Sequence, residues 1–348
     1  MNTIRIFLGA YVNFPNAQNI NCDNIARHLD KERFEVHVMY TDKLPIDKEA
    51  YRKADVHLHR LIHHRFIWYW CKLLTMLFGN YDVYYLPKQE PMDRLFARLM
   101  RARKPIVASV EGVITATTNN DPAFRRYYTD EMNSFFSISN CIAASVKEYW
   151  GIDSLVLPLG VSAPGEHVPH KRINKILWVG NVKANKRPLW LVECARAFPE
   201  ISFEMLGDGD MMEEIREKIR RYGLSNVKMF GRVPNEQVYE RLSKGDLLLM
   251  TSEYEGLPKV IQEAACCGVP SVYVSEHYTV DIIQSGVNGY AVSGLGEMKD
   301  RIQYLLDHPD EYSRMSQAAE ASIQPYLWPK LIKQYEDYFS TLVRKKAS

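Results

Sequence analysis

The sequence predicts an α/β protein made of two open, doubly wound parallel sheets in tandem. Three observations carry that expectation. Short apolar runs alternate with longer amphipathic ones along nearly the whole chain, the pattern of parallel strands joined by helices. The pattern breaks at "LPLGVSAPGEHVPHKR" (157–172), where prolines and glycines replace periodicity, and then it restarts. With 348 residues the chain can bury two cores of ordinary size.

In the first half, strands are expected at "TIRIFLG", "FEVHVMY", "DVHLHRL", "DVYYLP", "PIVASV" and "SFFSIS", with helices at "NIARHL", "MDRLFARLMRAR" and "NCIAASVKEYW" between them. After the break, "KILWVG", "ISFEMLG", "VKMFG", "DLLLM" and "PSVYV" read as strands. The helices between them are "RPLWLVECARAF", "DMMEEIREKIRRYG", "NEQVYERLSKG" and "LPKVIQEAACCG", several ending at a glycine. A long amphipathic helix, "LWPKLIKQYEDYFSTLVRKK", closes the chain. The division expected is 1–165, 166–325 and a terminal helix over 326–348. Two such sheets have one natural ligand site, a cleft facing the carboxyl ends of both sets of strands.

Bulk properties narrow the class. A net charge of +2 argues against a general nucleic-acid binder. No apolar run reaches the roughly 18 residues of a membrane span. "MNTIRIFLGAYV" reads as an opening strand, not a secretory leader. A cytoplasmic protein is expected. The six cysteines (22, 71, 141, 194, 266 and 267) show no C-x-x-C spacing and read as reduced thiols. "HLHRLIHH" (57–64) suggests metal ligands, but no acidic or cysteine partner lies nearby at helix-ligand spacing, so a metal is not expected there.

The most informative stretch is "TSEYEGLPKVIQEAACCGVPSV" (251–272). A strand ends before it, Leu257-Pro258 opens a helix, and proline is tolerated in a first turn. The amides of Lys259 and Val260 then point out of a helix N-terminus, a ready phosphate site. Glu255 and Glu263 flank it and, as carboxylates, would accept hydrogen bonds from hydroxyls and not bind the phosphate. The alternative for the two glutamates taken alone is a solvated loop and a helix surface.

This Glu-x7-Glu block, followed by "AACCGVPSV", resembles the signature of glycosyltransferase family 4, retaining enzymes of the GT-B fold. Other landmarks are similar in order: "LPLGVS" (157–162), "WVGNVKANKRP" (178–188), "LGDGD" (206–210), "VKMFGRVPNEQV" (227–238) and a late loop, "GVNGYAV" (286–292). The resemblance implies two Rossmann-like domains, with the C-terminal helix crossing back to the first. It implies that Glu263 holds a ribose diol, while Glu255, Gly256 and Leu257 hold the transferred sugar. The Lys259 and Val260 amides would meet the diphosphate, and Gly180, in the glycine-then-basic loop, would also contact the donor. Lys186 or Arg187 would neutralise the leaving phosphate, and Arg232 and Val233 would line the base pocket. Two cations beside a helix start are electrostatically unfavourable without an anion, which supports that reading.

Asp208-Gly209-Asp210 has the Asp-x-Asp form of a metal motif, but a turn opening a helix favours a capping role, and no metal is expected. The chain departs from the family in several places. "GAYVNFPNAQNIN" stands where a Gly-Gly loop is usual, making Asn13, Asn16 and Asn19 candidate acceptor contacts. Glu111 replaces a usual histidine and is expected to orient acceptor or donor sugar. Asn181 replaces an arginine, and "EHYTV" (276–280) replaces a late Gly-Gly turn.

Residues 60–104 hold nine Lys or Arg against three Asp or Glu, net +6, around "RFIWYWCKLLTMLF". That fits an interfacial helix at an anionic membrane surface. The alternative is that Trp68, Trp70 and Phe78 pack in the core. The function expected is a metal-independent transfer of a hexose-type sugar from a UDP- or GDP-sugar co-substrate to a saccharide or lipid-linked saccharide. A phosphorylase or epimerase on the same fold, and a silent nucleotide-sugar-binding scaffold, are the rivals.

Overall fold

A computed structural model of the chain describes residues 3–14, 16–62, 64, 67–162 and 170–347. The chain forms two compact units, one of residues 1–160 with 328–348 and one of residues 161–327. The boundary expected at 165/166 falls outside the described residues.

The N-terminal unit runs β1 (Ile4–Tyr11), α1 (Ala17–His28), β2 (Phe34–Thr41), α2 (Lys48–Lys53), β3 (Val56–Leu61), α3 (Ile67–Phe78), β4 (Val83–Tyr85), α4 (Pro91–Met100), β5 (Ile106–Val110), α5 (Pro122–Arg126), β6 (Ser134–Ser137), α6 (Asn140–Trp150) and β7 (Leu155–Val156). Its seven strands are parallel in the order β3-β2-β1-β4-β5-β6-β7. The apolar runs make continuous buried strands, Ile6-Phe7-Leu8 and Val83-Tyr84-Tyr85 among them, because helices cover both faces. β7 adds a seventh strand, not expected from the sequence, just before the stretch expected to be a linker.

The C-terminal unit runs β8 (Lys175–Val179), α7 (Leu189–Ala197), β9 (Ser202–Leu206), α8 (Met212–Tyr222), β10 (Val227–Met229), α9 (Asn235–Leu242), β11 (Leu247–Met250), α10 (Lys259–Cys266), β12 (Ser271–Val274), β13 (Gly289–Val292), α11 (Leu295–Asp307) and α12 (Pro309–Ser322). Six parallel strands lie in the order β10-β9-β8-β11-β12-β13. Trp178, Phe203, Met205, Leu249 and Val272 centre its core. The segment "GVNGYAV" is a correction to the expectation of a loop, because its second half is β13, paired with β12 from Ser271↔Gly289 onward. A run of four residues behind a turn carries too little period to read as a strand until its neighbour is placed.

The last helix, α13 (Trp328–Ala347), belongs to the N-terminal unit. Tyr335 and Phe339 on it are buried, their rings meeting Phe136 and Tyr85 at 5.7 and 6.2 Å. Glu336 accepts the Asp30 N–H (2.9 Å) and pairs with Arg33 at 2.8 Å.

The aromatic side chains of the basic segment divide between packed and exposed positions. Trp68 packs edge-on against Tyr11 at 4.7 Å, whereas Trp70 is 58% exposed and Phe78 80%. Lys72 on the opposite face of α3 is fully buried and paired with Glu90 (2.8 Å) and Asp93 (2.6 Å). Residues 63, 65 and 66 of the segment lie outside the described residues.

Truncating Phe339 to alanine is expected to cost about 3–5 kcal/mol, as for other large buried aromatics. Urea unfolding should show it as a lower midpoint of the transition involving the N-terminal unit. An unchanged midpoint contradicts this packing of α13.

Candidate functional site

In the C-terminal sheet the strand order reverses between β8 and β11, so the loops leaving these two strands diverge and open a crevice at the carboxyl rim. The neighbouring loops are stitched together by backbone. Gly180 N–H donates to Leu206 O (3.0 Å), Val182 N–H to Asp208 O (3.0 Å), and Gly207 N–H to Gly231 O (2.8 Å). Two glycines make the approach possible. A Cβ on Gly207, whose φ is +141°, would lie 1.8 Å from Gly180 O, and one on Gly209 would lie 2.3 Å from Val182 O.

This packing corrects the capping role expected for Asp208 and Asp210. The residue at the cap of α8 is Met211, without a side-chain cap, and Asp208 Oδ1 accepts the Gly209 N–H at 2.9 Å. The motif serves a close loop contact and not the helix end.

The basic loop is held across the crevice. A 3-10 turn, Ala184–Lys186, ends at Arg187 in the left-handed region (φ +46°). Trp178 Nε1–H donates to Thr251 Oγ1 (2.8 Å), which donates to Lys186 O (2.5 Å), and Glu253 N–H donates to Asn185 O (2.9 Å). These ties set Lys186 Nζ 2.5 Å from Glu255 Oε1, both side chains being mostly buried. The pair joins the loops of the two strands that flank the reversal. Arg187 turns instead to Glu276 at 2.7 Å, its guanidinium over the Trp190 ring. His277 stacks on Tyr254 with ring centres 4.8 Å apart.

α10 begins at Lys259, with Pro258 at the cap position, two residues later than the expected start at Leu257. No side chain caps it and no acidic residue sits in its first turn, so its positive end is not neutralised from within the helix. Gly256 and Leu257 are half-buried in the preceding loop, beside Glu255, and Val260 follows in the first turn. One turn into α10, Glu263 is half-buried and makes no hydrogen bond or ion pair among the described residues. Burial pushes its carboxyl above the usual range, with Lys259 opposing. On the other flank, Gly231 takes φ +67°, Arg232 is exposed and Val233 half-buried; Arg241 lies over the Phe230 ring at 3.4 Å.

The acceptor candidates on the N-terminal unit divide. Asn13 spends both side-chain ends on backbone: Nδ2 donates to Thr41 O (2.8 Å) and Leu44 O (2.9 Å), and Oδ1 accepts from Thr41 N–H (2.9 Å). Asn16 caps α1 by accepting the Asn19 N–H. Asn19 is buried, accepting from Tyr11 N–H (3.0 Å) and donating to Phe14 O (2.9 Å). The asparagines hold the loop after β1 in place. Glu111, following β5, is half-buried with Ser109 Oγ (2.8 Å) and Asn21 Nδ2 (3.2 Å) as hydrogen-bond donors.

Sequence reasoning does not single out Tyr254, Glu276 or His277 as a set. The signal available is that "EHYTV" stands where the family has glycines, which supplies side chains to this rim. Nor does it single out the buried Lys72–Glu90–Asp93 cluster, where Lys72 also donates to Gly9 O at 3.2 Å.

Because Glu263 is held above its ordinary pKa, ionisation opposes folding. Its effect is absent below the ordinary glutamate value and grows as pH rises through the native one. Glu263→Gln is therefore expected to raise the melting temperature at pH 7–8, with the gain vanishing as the pH falls below about 4. A variant less stable than wild type at neutral pH contradicts the burial argument.

Comparison with known proteins follows this division. Residues 164–322 match the family model described as "Glycosyl transferases group 1". Among curated relatives, alpha-D-kanosaminyltransferase of Streptomyces kanamyceticus is 29% identical over 151 residues, covering 41% of this chain and 39% of that one. N-acetyl-alpha-D-glucosaminyl L-malate synthase of Bacillus anthracis is 27% identical over 176 residues, covering 49% and 46%. The chain thus aligns with less than half the length of these relatives. Among solved structures, Anabaena Alr3699/HepE, in complex with UDP and glucose, superposes with TM-score 0.79 at 16% identity, covering 97% of this chain and 100% of that one. A Rickettsia africae glycosyltransferase gives 0.79 at 14%, covering 99% and 100%. The whole chain has the GT-B fold, and its C-terminal unit has a sequence similar to group 1 glycosyltransferases.

Proposed function

We propose that the protein is a retaining glycosyltransferase that moves a hexose-type sugar from a UDP- or GDP-sugar to a saccharide or lipid-linked saccharide hydroxyl in polysaccharide biosynthesis. The observation that carries the proposal is the Lys186–Glu255 pair at the strand-order reversal of the C-terminal sheet, beside the uncapped start of α10. A nucleoside diphosphate fits this chemistry. Its phosphates take the Lys259 and Val260 amides and the Lys186 ammonium, with Arg187 beside them. Its ribose diol donates to Glu263, and its base lies along Arg232 and Val233. The sugar hydroxyls meet Glu255 and the Gly256-Leu257 backbone. The Anabaena complex with UDP and glucose favours uridine and a hexose.

In the reaction, the bond from the anomeric carbon to the phosphate oxygen breaks while the acceptor oxygen bonds to the same face. The acceptor proton passes to the departing phosphate. That phosphate gains negative charge in the transition state, where prepositioned cations and amides stabilise it most. Glu255 is assigned to sugar positioning and not to nucleophilic attack, and Glu111 to orienting a sugar on the N-terminal unit. No metal takes part in this scheme.

Nucleotide release from a panel of nucleotide sugars tests the activity. Wild type should turn over at least one donor with retained anomeric configuration. Glu263→Ala should weaken donor binding about 10–100-fold, the worth of a charged hydrogen bond. Glu255→Gln should chiefly lower kcat, by about 100-fold. Failure of the wild type to bind any nucleotide overturns the proposal, and an inverted product overturns the retaining assignment.

The protein is also proposed to meet the inner, anionic face of a membrane through α3 and α4, which pack together. Trp70, Leu74, Phe78, Leu95 and Leu99 are exposed there, close in sequence to exposed Arg101 and Arg103. No helix among the described residues is long and apolar enough to cross a membrane. Sedimentation with anionic phospholipid vesicles should exceed that with zwitterionic ones, and Trp70→Asp with Phe78→Asp should abolish it. Equal sedimentation of the double variant contradicts this surface.

A further inference from the structure

The histidine-rich run "HLHRLIHH" lacks a ligand partner at helical spacing, but its first half is strand β3 and not a helix. In a parallel sheet, partners come from the strand alongside, and residues two apart share a face. β3 pairs with β2 in the register His37↔His57 and Met39↔His59. Glu35, His37, His57 and His59 therefore occupy one face of two adjacent strands. Glu35, His37 and His57 each offer a ligand atom, all within 4.8 Å of one another. Glu35 is half-buried, His37 buried and His57 exposed, so the group is rooted in the fold and open to solvent.

We propose that Glu35, His37 and His57 form a binding site for a borderline divalent cation, Zn²⁺ or Co²⁺, that clamps the edge strand β3 to β2. Two imidazoles and one carboxylate are the donor set that such ions prefer, with water completing the coordination. His37 Nε2 faces Glu35 Oε1 at 2.8 Å, so imidazole and carboxylate already stand side by side. The other nitrogen, Nδ1, faces His59 Nε2 at 3.0 Å, and Tyr81 Oη lies 3.2 Å from that same nitrogen. With metal on Nε2, the His37 Nδ1–H donates to His59, the outer bond that orients a metal-bound imidazole.

The opposing influence is Arg5. Its Nε lies 3.1 Å from Glu35 Oε1, while its Nη1 is anchored on Gly79 O (2.9 Å) and Asn80 O (3.2 Å). Arg5 stays in place and leaves the second carboxylate oxygen for the cation. Its charge weakens the affinity relative to a carboxylate without such a neighbour. These side chains come from the early part of their strands, whereas the loops discussed above leave the strands' carboxyl ends. The clamp is structural and separate from sugar transfer.

Tag-free full-length protein titrated with Zn²⁺ in competition with a chromophoric chelator tests the site. One equivalent should bind, and Zn²⁺ at about 100 times Kd should raise the melting temperature by roughly 5 °C or more. Co²⁺ should give visible absorption bands from its coordinated d shell. His57→Ala changes an exposed side chain and leaves the fold intact; it should weaken Zn²⁺ at least about tenfold and cut the thermal shift to about half or less. Glu35→Gln should weaken it likewise, and His59→Ala by less. No Zn²⁺ binding by the wild type overturns the proposal. So does one equivalent bound equally well by His57→Ala and Glu35→Gln.

Discussion

The C-terminal unit turns on the ion pair between Lys186 and Glu255. Its two members come from the loops after β8 and β11, the strands on either side of the sheet's reversal, so the pair spans the crevice that topology opens. Its position does not depend on the side chains alone. The Thr251 hydroxyl holds the Lys186 carbonyl, and Trp178 holds that hydroxyl in turn. An ammonium fixed this way would meet the phosphate of the proposed donor without reorganising, the condition under which a fixed charge stabilises a transition state best. Partial burial strengthens its field relative to bulk water.

Keeping the rim ready has a structural cost. Arg187 sits in a left-handed conformation that side-chain residues rarely adopt, and Glu263 carries a carboxylate into a poorly solvated place without a partner among the described residues. Both features lie on the proposed donor path. Strained backbone and unsatisfied charge are tolerated where surrounding contacts over-determine the geometry. The glycine contacts at Gly207 and Gly209 and the Thr251 ties supply those contacts here. The N-terminal unit treats charge differently. Its buried Lys72 is enclosed by Glu90 and Asp93, and its loop asparagines are occupied with backbone.

Most of the fold was legible because both sheets are parallel and buried, so their strands are apolar runs with helices at regular distance. Helices α11 and α12 were not among the expected elements, although their buried stripes Met298/Ile302/Leu305 and Tyr312/Met315/Ala319 carry helical spacing. Short strands β7 and β13 escaped, since two and four residues hold no period. Of the candidate site, the Glu255-to-Glu263 block and the basic loop were legible as motifs. That Lys186 pairs with Glu255 while Arg187 pairs with Glu276 was not, because both pairings join residues far apart in sequence. The histidine run shows the same limit: the carboxylate and the other imidazole of the proposed site, Glu35 and His37, stand on the neighbouring strand.

The most direct test of the central claim compares how Lys186→Met binds UDP and uridine, each measured by calorimetry against wild type. If Lys186 is the fixed cation for the diphosphate, UDP affinity should fall about 10–100-fold while uridine affinity stays within about twofold. An equal loss for both ligands, or none for UDP, would contradict the account.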